Sequence, residues 1–260
     1  MINFLLSQRQ PPITVSDPAP GYVKAPSHHF GSYENFLRAF QDQGYQFCFF
    51  SELNQTHRQL ALRHDIDFDT NFALESAYIE HQLGIRSTYF FLLRSNFYNI
   101  FSPQDFQNIQ TIRELGHQIS VHFDPSIYED FHQGLKTEVQ LFSDFFKQDV
   151  RIISLHRPNA FFQEYDAPIF GIEHTYQSKY FRQVKYISDS TGVWRFGHPF
   201  DTPEFAQRKS IHLLIHPIWW MLDGGSNLEK LSGYYQQRVH ALKTDFSNNC
   251  IPFRKINETL

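Results

Sequence analysis

Four ionisable side chains fall within five residues at Arg63-His64-Asp65-Ile66-Asp67, directly after the apolar run Leu60-Ala61-Leu62. Burying a charge without a partner is costly, so a strand that ends this way either opens onto solvent or builds a site. Two carboxylates one residue apart, beside a histidine and an arginine, have the types needed to hold a hard metal ion and to supply a base. Alone, such a cluster reads more simply as solvated or salt-bridged charge at a strand end. The design recurs, however. A segment at 117–121 that reads as a strand ends in His122-Phe123-Asp124, one at 151–155 in His156-Arg157-Pro158, one at 184–188 in Asp189, and one at 211–215 in His216.

The elements that must position these residues alternate. Helical spacing begins near Tyr33, with Phe36, Leu37 and Phe40 on one face. A short strand is expected over 46–51, the charged strand over 60–64, a helix over 70–83 closed by Gly84, and a strand over 87–93. Ser102-Pro103-Gln104-Asp105 opens the next helix, with a cap residue and proline at the first helical position. Strands follow at 117–122, 151–155, 184–188 and 211–215, with a helix over 131–147 and a last one opened by the capping box Ser226-Asn227-Leu228-Glu229. The stretch 156–183 is less regular and is expected to be a long loop. Strands alternating with helices imply a parallel α/β sheet, and in a barrel of parallel strands the carboxyl ends converge on the face that carries the active site. Five strand ends would thus deliver Asp, His and Arg side chains to one mouth, which points to metal-assisted hydrolysis.

Composition narrows the class. At 260 residues the chain suits one large domain. With 28 Phe and 13 Tyr it is too aromatic for disorder. A net charge of −4 gives no electrostatic footprint for nucleic acid. Cys48 and Cys250 do not form a close-spaced framework, and no apolar run approaches a membrane span. The Met1 to Leu6 start has too little charge and length for a signal peptide, so a cytoplasmic location is expected. Residues 1–30 read as an irregular lead-in and 31–260 as the barrel domain.

The order and spacing of these motifs resemble the polysaccharide deacetylases, the NodB-homology group or carbohydrate esterase family four, over about Tyr33 to Leu242. The resemblance implies a distorted (β/α) barrel of seven parallel strands in a single domain. It also implies a hydrolase that removes acetyl groups, N-acetyl foremost, from a sugar or glycan precursor. The T-F-D-D-G motif of that family corresponds to Arg63-His64-Asp65-Ile66-Asp67, which implies Asp65 as catalytic base and Asp67 as a ligand of one divalent metal ion, zinc foremost, with cobalt, iron or manganese as alternatives. Gly116-His117-Gln118-Ile119-Ser120-Val121-His122 implies His122 as a second ligand. Arg157-Pro158 stands for R-x-P and implies that Arg157 pairs with Asp65. Asp189 with Trp194 represents the fourth motif, and Leu214-Ile215-His216 the fifth, with His216 as the acid. Asp189 would orient Arg157 or raise the pKa of His216. Trp194 and Leu214 would wall the acetyl pocket, and Trp219, beside Trp220, offers a face for stacking on a sugar.

Two departures bear on the metal shell. The carboxylates are spread to Asp65-Ile66-Asp67, and Ser126 stands where the family carries a second histidine. Asp124, His156 or His64 would have to complete the set. A mixed Asp/His set suits zinc, cobalt, iron or manganese. Other readings are a non-sugar amide hydrolase of the same fold, with or without metal, and a non-catalytic sugar-binding protein. The retained Asp65, Arg157, Asp189 and His216 weigh against a pure binding role.

Overall fold

The computed structural model describes residues 32–55, 58–194 and 197–257. The lead-in expected over 1–30 lies outside the described residues. The strands are β1 (Gln46–Cys48), β2 (Gln59–Ile66), β3 (Thr88–Phe91), β4 (Gln118–Phe123), β5 (Ile152–Leu155), β6 (Glu173–His174), β7 (Lys185–Ser188) and β8 (Ile211–Ile215). The helices are α1 (Tyr33–Asp42), α2 (Thr70–Gln82), α3 (Pro103–Glu114), α4 (Phe131–Phe146), α5 (Ala160–Glu164), α6 (Ser178–Phe181), α7 (Pro203–Ala206), α8 (Ile218–Met221), α9 (Asn227–Asn249) and α10 (Ile251–Asn257).

Every pairing between these strands is parallel. The path of seven runs β6-β5-β4-β3-β2-β8-β7, and β1 adds to the first half of β2. The expected seven-stranded parallel sheet is present, as an incomplete barrel whose path ends at β6 and β7. The short helix α6 helps fill its inside. Tyr180 from α6 packs with Phe50, Ala61, Phe90 and Ile152, and its carbonyl accepts a hydrogen bond from His212 Nδ1 at 2.9 Å.

The period-two alternation of a strand sorts β2 into two faces. Leu60, Leu62 and Ile66 point out into apolar layers under the helices, while Ala61 points inward. α1 supplies Tyr33, Phe36, Leu37 and Phe40 to the outer layer, as its spacing predicts, and Ser32 Oγ caps it by accepting from Asn35 N–H at 3.1 Å. α2 ends before Gly84, whose φ of +68° suits a residue without a Cβ. Ser102 caps α3 with Pro103 in its first turn, and Ser226 caps α9.

Two expectations change. β2 runs through Ile66 rather than stopping at His64, because Ile66 still pairs in register with Phe91 and the charge of Asp65 is met inside the barrel. The 156–183 stretch is not one loop. It holds α5, α6 and β6, and a two-residue strand is too short to leave a periodic signal.

Candidate active site

Asp67 follows β2 at its carboxyl end, His122 is the last residue but one of β4, and His156 follows β5. Asp67 Oδ1 lies 3.2 Å from His122 Nε2 and 3.1 Å from His156 Nδ1, and the two ring nitrogens are 3.3 Å apart. Asp67 Oδ1 is buried and makes no hydrogen bond of acceptable direction. Zinc ligands about 2.0–2.2 Å from a tetrahedral ion stand roughly 3.3–3.6 Å apart, so this near-equilateral triangle of one oxygen and two nitrogens is close to the spacing of a metal-ligand face. Among the described residues it is the group of His, Cys, Asp and Glu side chains that fits a metal ion. The Nδ1 of His122 meets Ser154 Oγ at 2.6 Å, which turns Nε2 toward the cluster. Asp67 feels opposing influences. Burial works against its charge, but the adjoining His122 and His156 imidazoles, and after them the charge of His216, hold its carboxyl below the ordinary value.

Asp65 stands beside this triangle, with Oδ2 3.7 Å from His122 Nε2. Its partner is Arg63, two residues back on the same inward face. Arg63 Nε donates to Oδ1 at 2.8 Å and Nη2 donates to Oδ2 at 2.6 Å. Both side chains are buried. Burial opposes ionisation of Asp65, yet the Arg63 guanidinium, and after it His122, outweigh burial and keep its pKa below 3.8.

His216 faces the cluster from the end of β8, with Nε2 3.9 Å from Asp67 Oδ2. Asp189, at the end of β7, accepts from His216 Nδ1 at 2.7 Å and from the His216 backbone N–H at 3.0 Å. The indole N–H of Trp220 donates to the other Asp189 oxygen at 2.9 Å. Burial would lower the pKa of His216, but the Asp189 hydrogen bond and charge outweigh it and raise it to about 9. The Asp189 turn is tight. Gly192 has a φ of +74°, and a Cβ there would stand 2.8 Å from Asn227 Cβ and 3.1 Å from the Trp219 ring.

Several residues expected at the site do other work. Arg157 does not pair with Asp65. Its side chain is 66% exposed and its Nη1 lies 3.7 Å from Asp124 Oδ2, because Arg63 already fills the position beside Asp65. Asp189 accordingly orients His216 and not Arg157. Asp124 does not join the metal triangle, since its Oδ1 caps the turn after β4 by accepting from Ser126 N–H and Oγ at 2.9 and 2.6 Å. His64 points out of the barrel and meets Glu80 Oε1 at 2.7 Å. Trp194 is 9% exposed and stacked on Phe36, and Trp219 is 6% exposed among Ile218, Leu222 and Tyr234. Neither offers an open face to a sugar. Leu214 is buried on β8, two residues before His216 and therefore on the same face of the strand.

Arg63, Ser154 and Trp220 are site residues that the motif reading passed over. Arg63 was legible, since residues i and i+2 of a strand share a face. Ser154 and Trp220 enter through neighbouring strands and a turn, and nothing local in the sequence pairs them with His122 and Asp189.

No protein-family model matches the chain, and no curated protein does. Among solved structures it is similar to a family 4 carbohydrate esterase from Bacillus anthracis, at 14% identity over 78% of this chain and 86% of that one, with a TM-score of 0.40. It is also similar to the chitin deacetylase of Colletotrichum lindemuthianum, at 14% identity over 64% of this chain and 76% of that one, TM-score 0.35. A third is a family 4 pseudoenzyme from Bacillus anthracis, at 10% identity over 71% of this chain and 63% of that one, TM-score 0.36. These likenesses are remote, and the functional reading rests on the side chains of this chain.

Proposed function

We propose that this chain is a metal-dependent hydrolase that removes acetyl groups, from nitrogen foremost, from a sugar or glycan precursor. The observation that carries the reading is the Asp67–His122–His156 triangle flanked by an ionised carboxylate, Asp65, and a proton-bearing imidazole, His216. Three protein ligands with an open side suit a catalytic metal, zinc first, and two histidines with one carboxylate also suit iron. A divalent ion held by these three side chains supplies Lewis acidity toward the acyl oxygen and makes water more acidic.

The remaining chemistry belongs to the chain. Asp65, kept ionised by Arg63, accepts the proton of the attacking water. His216, kept protonated by Asp189, donates its Nε2 proton to the departing atom. An amine leaves readily only when protonated, and a side chain with a pKa of about 9 holds that proton at neutral pH. Asp189 and Trp220 fix the imidazole so that its free nitrogen faces the reacting centre. Leu214 walls the interior side of the pocket. A cytoplasmic location is part of the proposal, and it favours a biosynthetic precursor over a finished polymer. Two free cysteines, Cys48 and Cys250, agree with a reducing compartment. Among the described residues no helix is long and apolar enough to cross a membrane.

The test is acetate release from a panel of N- and O-acetylated sugars by zinc-loaded protein, against Asp65→Asn with equal zinc content. The reading predicts turnover by the first and at least a hundredfold less by the second. Equal turnover by both removes Asp65 as base.

A further inference from the structure

Clefts of about 390 and 440 Å³ open near the amino ends of the strands, beside Val184 and Ser210 and beside Gln118 and Arg151, and neither touches the site. A third, of about 320 Å³, adjoins it. Asp67 and His156 form part of its wall, and Arg94 and Arg157 form another part. We propose that this cleft is an anion subsite, in which Arg94 and Arg157 bind a phosphate or carboxylate group carried by the substrate. The proposal rests on the reading above, and it adds a substrate class: an acetylated sugar with a negative charge near the acylated position.

Both guanidinium groups are exposed, and each is steadied without being consumed. The Arg94 Cζ lies over the Tyr128 ring, 5.3 Å from its centroid, and a hydrogen bond with Tyr128 uses one part of its five-donor guanidinium, whose other N–H groups can meet an anion. Arg157 Nη1 stands 3.7 Å from Asp124 Oδ2, an ion-pair distance too long for a hydrogen bond. A guanidinium fork matches the two oxygens of a carboxylate or phosphate, whereas a neutral sugar needs no such charge.

The acidic residues of the cleft offset this pair only in part. Asp67 belongs to the proposed metal triangle, where a bound cation would offset it. Asp124 uses Oδ1 on its turn and offsets part of the Arg157 charge through Oδ2, without a direct hydrogen bond to it. Glu138 is bonded by the Tyr128 hydroxyl, and burial pushes its carboxyl up to about 7. Much of its charge is therefore absent at neutral pH. Two exposed guanidinium groups thus stand in the cleft beside a centre read as cleaving neutral acyl bonds, an arrangement that can select by a second, charged handle.

The experiment uses the full chain loaded with zinc and probes that lack acetyl groups. Calorimetry compares glucose, glucose 1-phosphate and glucuronate on the unaltered protein, on Arg94→Gln, on Arg157→Gln and on the double variant. The expected result is at least tenfold tighter binding of one charged probe than of glucose. That gap should shrink severalfold in each single variant and close in the double variant, with zinc content unchanged. The tighter of the two charged probes identifies phosphate or carboxylate as the handle. No gap in the unaltered protein overturns the proposal, and so does a gap that survives in the double variant, since the anion then sits on the metal. If the gap closes as expected but no acetylated sugar releases acetate, the subsite stands and the deacetylation reading falls.

Discussion

Arg63 and Asp65 hold each other through two parallel hydrogen bonds of 2.8 and 2.6 Å from neighbouring inward positions of a single strand. Asp65 thus carries its counter-charge on its own element. The distance between Asp65 and the cation that keeps it ionised is set by β2 alone and by no loop.

Arg63→Met should therefore damage both activity and stability. Removing one partner of a buried pair leaves an uncompensated charge and costs roughly 3–5 kcal/mol. Asp65 has a folded pKa below its ordinary value of 3.8, so its contribution to stability is present above that value and lost as pH falls through the folded pKa. In the variant burial acts unopposed by Arg63, the pKa rises, and the acid limb of kcat/KM moves to higher pH. Arg63→Lys should recover part of the rate. Rate profiles from pH 3 to 8, with urea melts at pH 7, read both effects. An acid limb that stays in place would remove Arg63 from the mechanism.

The metal triangle makes a separate prediction. Asp67→Ala, His122→Ala and His156→Ala should each lose bound zinc, whereas Asp124→Asn should keep it. Ser154→Ala should weaken zinc by about tenfold to a hundredfold, because it frees the His122 ring from its orienting partner. Elemental analysis after dialysis against a graded chelator gives the comparison. Full zinc content in His156→Ala is the outcome that breaks the triangle.

The third prediction concerns His216. Its folded pKa of about 9 lies above the ordinary 6.5, so its contribution to stability is complete below 6.5 and lost as pH rises through about 9. Activity that needs the imidazolium should fall over the same alkaline range. Asp189→Asn removes the charge that raises this pKa, and the alkaline limb should move toward neutral pH. Trp220→Phe, which removes only one hydrogen bond to Asp189, should move it less. Imidazole proton resonances followed through a pH titration report the shift apart from turnover. An Asp189→Asn protein with an unmoved His216 titration contradicts the assignment.

Much of this architecture was readable in the sequence because it is periodic. The Phe36, Leu37 and Phe40 face of α1 and the caps at Ser102 and Ser226 are local patterns with local causes. The convergence of Asp67, His122, His156, Asp189 and His216 was readable too, since parallel strands put their carboxyl ends on one face. What failed was side-chain pairing across the barrel. The motif pattern pairs Arg157 with Asp65, whereas the inward alternation of β2 puts Arg63 there. Asp124 and His156 were rival ligands, and the turn that needs Asp124 as a cap decides that case. Trp194 as a pocket wall and Trp219 as a sugar platform fail for a related reason, since sequence does not reveal which large rings are covered.

His64 gives the last prediction, because it sits inside the same motif and faces the opposite way. Outside the barrel it joins Glu80, Tyr33, Ser87 and His117 in a buried network. Glu80 Oε1 is 2.7 Å from His64 Nε2, Tyr33 donates to the same oxygen at 2.5 Å, and Ser87 donates to Oε2 at 2.5 Å. Burial disfavours the Glu80 charge, but His64 and then His117 outweigh it and hold its pKa below the ordinary 4.5. The stability it contributes is thus present above 4.5 and lost as pH falls through the folded pKa. Glu80→Gln should cost roughly 3–5 kcal/mol at pH 7 and flatten the acid side of the stability profile. Because this network lies on the helix side of the sheet, Glu80→Gln and His64→Ala should leave zinc content and the kcat of the folded protein near those of the unaltered chain. Urea melts at several pH values, paired with zinc analysis, separate the two faces of β2. Loss of zinc from a still-folded His64→Ala protein would put His64 back in the metal shell.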